Sequence, residues 1–155
     1  MEISRNQIVQ SIHKLWPDLV DGHQKPGNVF IPRSSYWTPS KDDFQKFISQ
    51  DWTMTVKHIS YDIKRWACSN FSAALAVQVD LHVMWLQSLN KFEESSMLEW
   101  AVMEVWGTKF QGKKTSHAIN MIYMSDETLW FFEPQTVNKL WLADPEQDQI
   151  HFVKL

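Results

Sequence analysis

Ile8, Ile12, Leu15 and Trp16 recur at helical spacing and fall on one face, which predicts a helix over 2–16. Pro17 ends it, because the residue before a proline avoids the α region. Residues 17–35 carry Pro17, Gly22, Pro26, Gly27 and Pro32 and read as loop, with Val29-Phe30-Ile31 a short strand inside it. A second helix is expected from Thr38 to about Asp51. Thr38 would cap it, Pro39 suits the first turn, Asp42 and Asp43 complement the dipole, and Phe44, Phe47 and Ile48 form the apolar stripe. Weak alternation through 52–65 predicts extended structure. Residues 68–89 contain Ala73-Ala74-Leu75-Ala76 and are apolar nearly all round, the mark of a long helix buried on most sides.

Beyond that helix the period changes to two. Strands are predicted over 101–106, 118–124, 128–132 and 149–153, with Ser125-Asp126-Glu127 as a hairpin turn between the second and third. Helices followed by an antiparallel sheet give an α+β class, and 155 residues suit a single domain over 1–155.

Composition narrows the function classes. Hydrophobic residues make up 44% and charged residues 21% of the chain, which is globular. A net charge of −3 without a Lys/Arg cluster larger than Lys113-Lys114 argues against nucleic acid as a partner. The Phe71–Leu89 stretch is broken by Gln78, Asp80, His82 and Gln87, too polar for a membrane span. The first residues lack the pattern of a signal peptide, and one cysteine fits a reducing compartment, so a cytoplasmic location is expected. Nine tryptophans admit two readings. The one taken is bulky core and interface material; the other is a stacking surface for sugars or peptides.

The candidate chemistry rests on four residues. Cys68 opens the long helix, where free N–H groups and the dipole favour thiolate. His117 starts a strand, and Glu133 ends the next strand of the same hairpin, so the carboxylate can reach and orient the imidazole. Gln135 lies two residues on and can donate to a developing oxyanion. His82 reads as a satisfied core residue, and His13, His23, His58 and His151 show no metal-ligand spacing.

The segments Tyr36-Trp37-Thr38-Pro39-Ser40, Cys68-Ser69-Asn70-Phe71, His117-Ala118-Ile119-Asn120 and Phe132-Glu133-Pro134-Gln135-Thr136 resemble one family. It is the papain-like C-terminal domain of the fairy-ring mushroom agglutinin with its phage and bacterial relatives, and the resemblance covers about residues 29–140. The resemblance implies a papain-like fold, a Cys68–His117–Glu133 triad, calcium activation and a homodimer. Ser69 and Asn70 stand where acidic residues of that family follow the cysteine, so no cofactor is expected; calcium, with Glu133 or Asp62, is what the resemblance alone would add. No lectin domain precedes this one in the sequence, so glycan-directed delivery is not implied. Cys68-Ser69-Asn70-Phe71 with His117 is also similar to cell-wall endopeptidases of the NlpC/P60 type.

The expectation is therefore a cysteine peptidase or amidase of phage or bacterial type acting on a peptide or protein substrate. Cys68 attacks the amide carbonyl, His117 moves the proton, Glu133 orients His117 and Gln135 assists. The competing reading is a catalytically inactive binding or accessory module on the same fold, using the tryptophan-rich surface.

Overall fold

The computed structural model describes residues 1–19, 21, 28–56, 67–90, 99–136 and 139–155. The chain opens not in helix but in strand β1 (Glu2–Ser4), and helix α1 spans Arg5–Leu15. Ser4 sets that boundary with a capping box. Its hydroxyl accepts the Gln7 N–H, and the Gln7 side chain accepts the Ser4 N–H. Strand β2 (Val29–Phe30) and strand β3 (Ser35–Trp37) follow, and β3 pairs antiparallel with β1.

Helix α2 spans Lys41–Phe47 and is capped by Ser40, whose side chain accepts the Asp43 N–H, rather than by Thr38. Thr38 is buried, and its hydroxyl donates to the Met1 carbonyl instead. A π-helical segment (Ile48–Trp52) carries α2 directly into helix α3 (Thr53–Val56). The extended structure expected over 52–65 is thus helical through Val56, and 57–65 lie outside the described residues. The weak alternation of Thr53 and Thr55 with Met54 and Val56 predicted extended structure, but burial of Trp52 and Val56 against the core overrides it.

Helix α4 (Cys68–Asn90) is the longest element. Phe71, Leu75, Val79 and Val83 bury one stripe of it. The expectation of a helix covered on most sides does not hold, because Val77, Leu81, Met84, Trp85 and Leu89 are each more than half exposed, from 54% to 60%.

Strands β4 (Val102–Phe110), β5 (Lys113–Tyr123), β6 (Leu129–Phe132), β7 (Leu140–Leu142) and β8 (Gln149–Lys154) complete the chain. The described sheet has the order β2-β8-β4-β5-β6-β7. It is mixed rather than antiparallel, since β2 runs parallel to β8. The class is α+β. Alternation of side chains divides the core between the two faces of the sheet. Met103, Val105, Ile119, Met121 and Phe131 pack with α1, while Val102, Ile122 and Phe132 pack with α2, the π segment and α4. Burial on both faces explains why β5 and β6 read as nearly continuous apolar runs.

On α4, Asp80 lies within the field of the Arg33–Glu99 ion pair, whose N···O distance is 2.6 Å. Burial, reinforced by Glu99 and opposed by Arg33, pushes the Asp80 carboxyl up to about 6 from 3.8. A raised carboxyl favours the folded state most at low pH, and that contribution is lost as pH rises from below about 4 to above about 6. Asp80→Asn is therefore expected to raise the melting temperature at pH 7.5 and to leave it little changed at pH 4. Equal shifts at both values would sink this account.

Candidate functional site

The hairpin β5–β6 pairs Asn120 with Phe132 and Tyr123 with Leu129, which sets the end of β6 beside the middle of β5, where His117 lies inside a strand that begins at Lys113 rather than at its start. His117 and Glu133 meet there, with Nε2 and Oε2 2.6 Å apart. Oε1 of the same carboxylate accepts the Gln135 backbone N–H at 3.2 Å. The Gln135 side-chain nitrogen is buried without a hydrogen-bond partner among the described residues. Pro134 is fixed from behind by the indole of Trp52, which donates to its carbonyl at 2.9 Å.

Cys68 is half-buried and is the first residue of α4. One turn on, the Ser72 hydroxyl donates to the Ile119 carbonyl and the Asn120 amide donates to the Ser72 carbonyl, which locks α4 to β5. Among the described residues no hydrogen bond joins Cys68 to His117. The His117 ring lies edge-on to Phe110, 6.4 Å away, on the side of β5 that carries Ile119. The structure thus brings His117, Glu133 and Gln135 together and leaves the thiol without a bond to them. No group of three or more His, Cys, Asp or Glu side chains among the described residues could hold a metal ion, and Asp62 lies outside those residues.

A second site, missed from the sequence, lies between α2 and α4. It is a cavity of about 460 Å³ whose lining includes Trp37, Phe47, Trp85 and Trp100. Trp85 is 55% exposed, so an indole is offered to solvent, while Trp100 is 7% exposed and sits deep. The polar rim comes from α2 and the π segment. Asp43, Lys46 and Gln50 follow at near-helical spacing, all exposed and all lining the cavity. His82 lines it from α4, with Nδ1 2.8 Å from Asp51 Oδ2. The sequence did carry one signal. His82 and Trp85 are three residues apart and share a helix face, but the nearly all-round apolar character of α4 concealed which face was free.

No protein-family model matches the sequence, and no curated protein is similar to it. Solved structures do share its fold. One, described as a PSL1a–E64 complex, has a TM-score of 0.70 and 15% identity, covering 99% of this chain and 51% of that one. Another is a Polyporus squamosus lectin bound to the human-type influenza-binding epitope Neu5Aca2-6Galb1-4GlcNAc, with a TM-score of 0.67 and 16% identity, covering 99% of this chain and 49% of the lectin. The chain spans about half the length of these structures. At such identity the likeness shows the fold alone, one shared with a mushroom lectin.

This corrects the expected function. A cysteine peptidase or amidase acting on a peptide or protein substrate, whether of phage or cell-wall type, rested on resemblance and residue order. The fold is instead shared with a lectin solved with a glycan. A fold does not carry a chemistry with it. The hydrolase and enzyme readings are set aside.

Proposed function

We propose that this chain is a non-catalytic binding module on a papain-like scaffold, and that it takes a saccharide in the cleft between α2 and α4. The observation that carries the reading is the combination of an exposed Trp85 indole, a buried Trp100 and a polar rim around one cavity. A pyranose has an apolar C–H face and a ring of hydroxyl groups. It therefore matches a site with aromatic walls and a few convergent polar side chains.

The scaffold reading is supported by Cys68 at the head of α4 and by the His117–Glu133 pair, which ties the middle of β5 to the end of β6. Within it, His117, Glu133 and the Gln135 backbone form a hydrogen-bonded polar group at the end of β6. The lectin neighbour's glycan adds a motive for a saccharide ligand, and the cleft supplies the local chemistry in this chain.

Calorimetric titration of the chain against a panel of mono- and oligosaccharides tests the reading. Binding is expected for at least one of them. Trp85→Ala should weaken it by at least about tenfold, the equivalent of ~1.4 kcal/mol. No heat from any saccharide, or binding indifferent to Trp85→Ala, overturns the proposal.

A further inference from the structure

A cavity with aromatic walls can hold many ligands with an apolar face, so selection needs a polar group fixed in one orientation. His82 is held in that way. Its ring centroid lies 5.1 Å from that of Phe47, 5.5 Å from Trp100 and 6.0 Å from Trp85, so three aromatic rings limit its rotation. Asp51 fixes the remaining freedom through the 2.8 Å contact at Nδ1. A carboxylate beside Nδ1 favours a proton there, and in the neutral ring that tautomer leaves Nε2 as an acceptor. Among the described residues Nε2 has no hydrogen-bond partner, and the side chain keeps 15% exposure in a position that lines the cavity.

We infer that His82, positioned by Asp51, is the specificity determinant of the cleft, accepting a hydrogen bond at Nε2 from one hydroxyl of a saccharide that lies against Trp85. The inference rests on the saccharide-binding reading and names the group that discriminates among sugars. A site built to bond a hydroxyl rejects the analogue that lacks it, because a polar atom is then left unpaired against the ligand. Asp51 does not touch the ligand; it acts through the imidazole.

The experiment uses the whole chain and the best-binding saccharide of the panel, with its set of monodeoxy analogues. One analogue is expected to bind the unaltered protein about tenfold more weakly than the parent. His82→Ala should bind parent and that analogue equally. Imidazole ¹⁵N spectra of the free protein should show a single tautomer with the proton on Nδ1, and Nε2 should shift when the parent sugar is added but not when that analogue is. Asp51→Asn should mix the tautomers and weaken the parent while sparing the analogue. The deoxy series and the spectra need no variant, so a poorly folded His82→Ala does not block the test. If all analogues bind the unaltered protein within twofold of the parent, the inference fails while the saccharide reading stands. The inference fails in the same way if Trp85→Ala abolishes binding and His82→Ala leaves it intact. If no saccharide binds at all, both fail.

Discussion

Asp148→Ala is expected to lower folding stability by about 3–5 kcal/mol, among the largest effects of any single substitution in this chain. Asp148 is fully buried between β7 and β8. Its carboxylate accepts the Gln111 N–H at 2.8 Å, the Asp144 N–H at 3.0 Å and the Trp141 indole N–H at 3.4 Å. Its backbone carbonyl accepts the Trp16 indole N–H at 2.9 Å, which ties the end of α1 to the same point. Gln111 has a positive φ of 50°, a conformation uncommon outside glycine, so the β4–β5 turn depends on that carboxylate to stay closed. Truncation removes charge-assisted bonds and strands the donors in a site closed to water. Asp148→Asn keeps one oxygen acceptor and should lose roughly half as much. Urea unfolding of the three proteins decides it, and a loss below about 1 kcal/mol for alanine would refute this account.

Trp52→Ala should cost about 4 kcal/mol. The side chain is fully buried in the core between the sheet and α4, and its N–H is spent on the Pro134 carbonyl. Alanine leaves a large cavity and frees the segment that carries Glu133. Trp52→Phe retains most of the apolar area and loses only the hydrogen bond, so a loss of about 1–2 kcal/mol is expected. A second readout separates the two roles. In the alanine variant the His117 ring should show altered ¹⁵N shifts as Glu133 loosens, whereas phenylalanine should shift them little. An unchanged His117 signal in the alanine variant would show that Pro134 is anchored by other means.

Much of the fold was legible because it is encoded locally. The β5–β6 hairpin follows from two apolar runs around Ser125-Asp126-Glu127, and its register leads directly to the His117–Glu133 pair. α4 follows from its Ala-rich run, including its start at Cys68. Strand β7, three residues long at a sheet edge, is too short to show a period. The parallel pairing of β2 with β8 joins residues more than 120 apart, and no local pattern encodes it. Three adjoining residues, Thr38, Pro39 and Ser40, all suit a helix start, and only tertiary burial of Thr38 selects Ser40 as the cap. The cleft was hidden for a similar reason. Trp85, His82 and Asp51 come from two elements whose packing is decided by the core.

The π-helical segment gives chain length itself a meaning at this point. Where the Thr53 N–H reaches back to the Ile48 carbonyl, the helix holds one residue more than an α-helical turn requires. Deleting one residue between 48 and 52 would let α2 and α3 fuse into an ordinary helix and draw the side chains of the wide turn into α-helical positions. Asp51 and Trp52 lie in that turn, so the deletion would re-aim them relative to their partners, His82 and Pro134. Across descendants of a common ancestor, a gap of one position here would divide chains able to retain the Asp51–His82 couple from chains that have lost it, even where every residue of the cavity is unchanged.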